Sequence, residues 1–140
     1  MHITIRNLKK EDADQVARLI NQLTKNIIKT DNLVPRIEQL SAPLHWQYLV
    51  AEVDGQVTGF GGLVWYPIPS KGLCGWIEEL VVDAKNRRHG IGTALMEKLI
   101  NLAQSKNIVR IRLTSTPKAK NIYHCLGFIK KDHEYLIKDL

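Results

Sequence analysis

The chain has 140 residues, 44% of them hydrophobic and 24% charged, which suits one globular domain with its own core and leaves no room for a second. That balance argues against disorder, and Cys74 and Cys125 stand too far apart for a CxxC redox pair or a zinc cage, so both are expected as reduced thiols. The formal net charge of +6 admits an anionic partner of any kind, but the basic residues are dispersed, with only short pairs at Lys9-Lys10, Arg87-Arg88 and Lys130-Lys131.

No helix-turn-helix signal or aromatic-basic surface motif supports nucleic-acid binding. No apolar stretch has signal-peptide length, and none approaches the roughly 18 residues of a membrane span. The expectation is a cytoplasmic protein, neither exported nor inserted, with no nucleic acid and no membrane among its partners.

In chain order, Ile3 to Arg6 has strand character, and Glu11 to Leu23 carries Ala13, Val16, Ala17, Leu19, Ile20 and Leu23 at helical spacing. Leu33, Ile37 and Leu40 predict a short second helix, interrupted by Pro35 and closed before Pro43. YLVAEV, Asp54-Gly55 and QVTGFGGLVW form a hairpin signal, because Asp-Gly accepts the positive φ values of a type I′ turn. Pro67, Pro69 and Gly72 mark a loop, and Trp76 to Val82 forms the next strand. A helix from about Gly90 to Gln104 leads to another strand, IVRIRLTS. Thr116-Pro117 starts a helix that ends at Gly127, and FIKKDHEYLIKDL offers one or two closing strands. The order predicts a single α/β domain over residues 1–140, with a central mixed, mostly antiparallel sheet flanked by helices.

The stretch NRRHGIGTALMEKL lies where the strand ending in Val82 hands over to the helix near Gly90. A helix N-terminus offers free N–H groups and the positive end of its dipole, glycines at 90 and 92 clear the approach, and Arg87, Arg88 and His89 supply charge-assisted bonds to a diphosphate. A P-loop lysine is absent, and the dinucleotide pattern GxGxxG fails at Leu95. A plain turn, shaped by two glycines and solvated by arginines, is the alternative.

Here the chain resembles the GCN5-related N-acetyltransferases, whose signature for the acyl-CoA diphosphate is Arg or Gln, two residues, Gly, one residue, then Gly or Ala. It reads Arg87-Arg88-His89-Gly90-Ile91-Gly92, with the apolar strand LVVD before it and a long helix after it. The family's downstream alanine, tyrosine and Gly-Phe correspond to Ala119, Tyr123, Gly127 and Phe128 in AKNIYHCLGF. The chain departs from the pattern at Thr116, where many members carry Asn, and at Arg88, where they carry Gly; Asn121 is the candidate substitute for that polar contact, with a solvent-facing side chain as the alternative.

The resemblance implies an acetyl-CoA-dependent N-acetyltransferase. Acetyl-CoA, the acyl donor, would run along Leu80, Val81 and Val82, with its diphosphate on the loop and helix start from Arg87 through Gly92 and Thr93. Transfer to an amine needs a neutral nucleophile, a site for the developing oxyanion and a proton for the departing thiolate. Tyr123 is the implied acid, with a packed aromatic anchoring its helix as the alternative. Glu78 is the implied base, because on strand alternation it shares a side with Leu80 and Val82; Glu79 is the fallback, a solvated face or ion pair the alternative for both, and a bulge would upset the count. The oxyanion is assigned to a backbone N–H near Leu80 or Val81.

No HxxxH or HExxH spacing occurs among the histidines, so no metal is expected. Cys125 is read as a small core residue, and Trp46, Trp65, Tyr66 and Trp76 as acceptor-pocket or core aromatics. A carboxylate in the cleft favours a small cationic amine such as a polyamine, amino sugar or amino acid. A protein N-terminus or lysine, and a non-catalytic acyl-CoA-binding module, are the rivals, and a homodimer is left open.

Overall fold

The computed structural model describes residues 1–24, 27–42, 44–116 and 120–140. Five strands form one sheet in sequence order: β1 (Thr4–Asn7), β2 (Trp46–Val53), β3 (Gln56–Ile68), β4 (Gly72–Val82) and β5 (Arg110–Arg112). The first four pair antiparallel, and β5 lies parallel to β4. The mixed, mostly antiparallel sheet expected from the sequence is therefore present.

Asp54 and Gly55 both have positive φ, at 50° and 76°, as the type I′ turn between β2 and β3 requires. The β3–β4 hairpin is longer than expected: both strands run on to Ile68 and Gly72, so Pro67 lies inside a strand that ends in a tight turn, with the Lys71 amide bonded to the Ile68 carbonyl.

Helices cover both faces. On one, α1 (Ala13–Leu23) and α2 (Thr30–Leu40) bury Val16, Leu19, Ile20, Leu33 and Ile37 against Val50, Phe60 and Val81. Helix α2 runs through Pro35 rather than breaking there. Only the Pro35 amide bond is forfeited, and the buried Leu33 and Ile37 on either side hold the continuation to the sheet. On the other face, α3 (Ile91–Ser105) buries Ile91, Leu95, Met96, Leu99 and Ala103 against Leu49, Leu63, Trp65 and Ile77. This helix is the crossover that a parallel β4–β5 pair demands.

Near the C-terminus, α4 (Lys120–Cys125) ends in a left-handed Gly127, φ 92°. The Phe128 amide bonds to the Tyr123 carbonyl and the Gly127 amide to the His124 carbonyl, both at 3.0 Å, which is the Schellman arrangement. The expected start of this helix at Pro117, and the motif residue Ala119, lie outside the described residues. Residues 128–140 form no strand: Ile129, Tyr135, Leu136 and Ile137 are exposed, contrary to the closing strands expected there.

Candidate active site

The site begins where β5 stops. Cys74 to Trp76 pair with Arg110 to Arg112, but β4 continues to Val82 with that edge unpaired among the described residues. The Asp83 amide donates across to the Thr58 carbonyl of β3 at 2.8 Å, so by antiparallel alternation Val81 also turns toward β3 while Leu80 and Val82 turn their backbone groups to the open edge. The Val82 carbonyl is already taken, accepting from Arg87 Nε at 3.1 Å.

Between Phe60–Val81 and Gly62–Glu78 the register slips by one residue, leaving Glu79 and Leu80 opposite Gly61 alone. This is a β-bulge, and Glu79 sits in it with φ 53°. The consequence reverses the parity count. Ile77, Leu80 and Val82 pack on the α3 face, whereas Glu78 shares its face with Tyr48 and Val81, under α1 and α2. Glu78 and Glu79 nonetheless line one cavity of about 240 Å³, together with Arg36, Tyr48, Phe60 and aliphatic side chains of α1 and α2.

Tyr48 forms the floor of this cavity. Its ring stacks on Phe60, centroids 5.6 Å apart, and crosses Gly62 so closely that a Cβ there would lie 2.3 Å from Cε1. Burial, with the negative charges of Glu79 and Glu78 added, pushes the Tyr48 phenol up to about 12. Burial also raises the Glu79 carboxyl above its ordinary range, helped by the Glu78 charge and opposed by the Arg36 guanidinium. Tyr48 and Arg36 were not picked out in the sequence; the glycine run GFGG opposite a tyrosine-bearing strand is the signal that could have found Tyr48.

The loop after β4 is held from α1. Asp83 is buried, accepts from Arg18 Nη1 at 2.6 Å and from Gln22 Nε2 at 3.4 Å, and caps a short 3-10 turn (Ala84–Asn86) through the Lys85 amide. The Ala84 amide donates to Gln22 Oε1 at 2.9 Å. Arg88 and Gly90 then take positive φ values of 67° and 80°, and Gly90 becomes the N-cap of α3. The Ala94 amide makes the first helical bond, to the Gly90 carbonyl, so those of Ile91, Gly92 and Thr93 have no acceptor within the helix. Nothing lies within 4 Å of a Cβ built on Gly90, and one built on Gly92 would meet only Val82 Cγ2, at 3.5 Å. Arg87, Arg88 and His89 are exposed beside these amides, around a helix start whose chemistry suits an anion.

Tyr123 is half-buried on α4, in the cluster that contains Leu80 and Val82, with its ring edge-on to Phe128 at 6.0 Å. Burial raises its phenol pKa, which keeps the proton in place through the neutral range. The ring contact is the apolar clasp that commonly accompanies a Schellman end, so Tyr123 has a packing role whatever its chemistry. Asn121 is exposed on the same helix. Cys125 is exposed too, not a core residue, because a six-residue helix at the edge of the fold covers only one of its faces; Cys74 is the buried thiol.

None of Trp46, Trp65, Tyr66 and Trp76 lines the cavity. Trp65 is buried under Lys106 on the α3 face, Trp76 donates to Tyr66 Oη at 3.0 Å, and Trp46 donates to the Leu40 carbonyl at 3.2 Å. Among the described residues, no group of three or more His, Cys, Asp or Glu side chains is arranged to hold a metal ion, and no helix is long and apolar enough to cross a membrane.

Two solved structures follow nearly the whole chain. Glucosamine-6-phosphate N-acetyltransferase from Arabidopsis thaliana superposes with a TM-score of 0.87 at 22% identity, covering 99% of each chain. A predicted acetyltransferase from Clostridium acetobutylicum, solved with acetyl-CoA, has a TM-score of 0.79 at 20% identity over 98% of this chain and 96% of its own. In sequence, glucosamine 6-phosphate N-acetyltransferase 1 from Oryza sativa subsp. japonica is 29% identical over 121 residues, spanning 81% of this chain and 73% of the rice protein. An uncharacterized N-acetyltransferase from Archaeoglobus fulgidus is 30% identical over 112 residues, 74% of this chain and 75% of its own. The family model described as acetyltransferase (GNAT) matches residues 15–128, from the first helix through the helix start at Gly90 to the Gly127-Phe128 turn, and the chain belongs to that family of N-acetyltransferases.

Proposed function

We propose that the protein transfers an acetyl group from acetyl-CoA to the primary amine of a small cationic molecule, by direct attack. One observation carries the reading: β4 has an open edge between the cationic start of α3 and a cavity holding two carboxylates. An acyl donor laid along that edge would set its diphosphate on the amides of Ile91, Gly92 and Thr93, with Arg87, Arg88 and His89 around it. The backbone of Leu80 and Val82 would receive the donor's arm and, through the Leu80 amide, the developing oxyanion.

In the reaction the amine nitrogen attacks the thioester carbonyl, a C–N bond forms, the C–S bond breaks, and the products are an N-acetyl amine and a free thiol. An alkylammonium with a pKa of about 10.4 arrives protonated and must first lose a proton. Glu78 takes that proton, and Glu79, whose carboxyl is already lifted, stands beside it as the fallback base. Tyr123, on the α3 side of β4 with Leu80 and Val82, gives its proton to the departing thiolate and is restored by the proton that the acylated nitrogen sheds. The name of the rice relative specifies an amine-bearing acceptor, which supports the acceptor class and no more. A pocket of about 240 Å³ also suits a small acceptor better than a protein chain.

Acceptor kinetics of Glu78→Gln and Glu79→Gln across pH test the assignment. Glu78→Gln is expected to lower kcat/KM for cationic acceptors by roughly 10²-fold or more, with part of the rate returning as pH approaches the amine's own pKa. Damage from the Glu79 change alone would move the base by one residue, and no damage from either would remove both acids from the mechanism.

A further inference from the structure

We propose that the acceptor carries an apolar body, an alkyl or arylalkyl primary amine whose carbon skeleton fills the cavity under α1 and α2 while its ammonium meets Glu78 and Glu79. This rests on the N-acetyltransferase reading above and narrows its substrate class. Among the described residues, four polar side chains line the cavity, Arg36, Tyr48, Glu78 and Glu79. They form a single cluster: the Tyr48 phenol feels both carboxylates, and Glu79 feels Arg36. The other described side chains of the lining are hydrocarbon, with Ile20, Leu33 and Ile37 from the two helices facing Phe60 of the sheet.

Charge and solvation both select against a polyhydroxylated anion. Two carboxylates against one guanidinium leave the polar end formally negative when both acids are ionised, which attracts an ammonium and repels a phosphate. A hydroxyl pressed against the aliphatic wall without a partner would weaken binding by roughly 5- to 150-fold. A methylene placed there gains, by at most about fourfold each. The size is also suitable, since an apolar protein cavity of about 150 Å³ accepts a benzene ring and this one measures about 240 Å³. A phenyl ring with a two-carbon arm ending in the amine would span the wall and reach the acids.

The test is thiol release from acetyl-CoA with n-propyl- to n-hexylamine, 2-phenylethylamine, spermidine and glucosamine 6-phosphate. The expected result is a kcat/KM that rises about threefold per methylene until the cavity is full, with 2-phenylethylamine at least tenfold above spermidine and glucosamine 6-phosphate. Leu40→Trp, a change at a partly buried wall position that narrows the cavity, is expected to reverse the order of 2-phenylethylamine and n-propylamine. Spermidine or the sugar phosphate as the best acceptor, with no dependence on chain length, would overturn the apolar-body inference and leave amine acetylation standing. Failure to acetylate any amine, by a folded protein that still binds acetyl-CoA, would overturn both.

Discussion

Gly62→Ala is the sharpest test of how the cavity proposed for the acceptor is built. The added Cβ would sit 2.3 Å from Tyr48 Cε1, 2.4 Å from Cδ1 and 2.8 Å from Cζ, where ordinary contact begins near 3.4 Å. The ring must therefore recede by about 1 Å, the difference between 3.4 and 2.3 Å, against its stack on Phe60 or into the cavity. Overpacking of this kind costs about 1–3 kcal/mol, which for a chain of this size lowers Tm by about 3–10 °C. The displaced ring also shrinks the cavity, so acceptor KM should rise at least several-fold, while acetyl-CoA affinity is unchanged because the α3 start lies on the opposite face. Thermal denaturation, acceptor kinetics and calorimetry of acetyl-CoA binding read the three effects. In a Tyr48→Leu background the same alanine should cost much less. A single variant with unaltered Tm and acceptor KM, or an equal Tm loss in both backgrounds, would refute the placement of Tyr48.

Gly90→Asp puts a side chain into a left-handed N-cap and a negative charge at the anion site, so acetyl-CoA affinity by calorimetry should fall by at least tenfold; an unchanged affinity in folded protein would remove this site. Tyr123→Phe keeps the ring contact with Phe128 and so should leave Tm nearly unchanged, but it should lower kcat by roughly 10²-fold where chemistry is rate-limiting; full turnover would return Tyr123 to packing alone. The Asp83 carboxyl is held below its usual range by its hydrogen bond from Arg18, so its contribution to stability is present above pH ~4 and lost as pH falls through the lowered value. Asp83→Asn should therefore flatten the acid limb of a Tm-against-pH profile, and an unchanged limb would count against the ion pair.

What the sequence made legible was what local chemistry decides. Asp54-Gly55 has one good backbone solution, and the β2–β3 hairpin follows from it. The spacing of Ile91, Leu95 and Leu99 admits one buried helix face, and Gly90 at a left-handed cap marks where that helix begins. The failures share a cause of the opposite kind. Pro35 reads as a break because proline removes one helical hydrogen bond, but burial of Leu33 and Ile37 outweighs that loss, and burial is a property of the assembled sheet. The FIKKDHEYLIKDL tract carries the short apolar runs Phe128-Ile129 and Tyr135-Leu136-Ile137, which suggest strands, yet pairing also needs an edge within reach, and β5 offers only three residues. Tyr48 and Arg36 belong to segments 12 residues apart in the chain and meet at the cavity only after α2 has packed on the sheet.

The two glutamates show how one non-local detail decides which face of a strand a side chain takes. In a regular strand Glu78, Leu80 and Val82 would share a face, and a base on that face would stand under α3, away from the α1–α2 cavity. The turn at 69–71 sets one register for the β3–β4 pair and the Gly59–Val82 end another, so the extra residue has to be absorbed between them. It is absorbed opposite Gly61, where the absence of a Cβ leaves room for Leu80 Cδ1, which would lie 2.8 Å from that atom. Glu79 takes the positive φ, Glu78 turns under α1 and α2 with Tyr48, and Leu80 stays on the α3 face with Val82. Neither strand carries that slip in its own alternation; it arises from the mismatch between two ends of a hairpin. Its effect is to divide β4 between the two faces of the sheet, with Glu78 toward the α1–α2 cavity and Leu80 toward α3, within three consecutive residues.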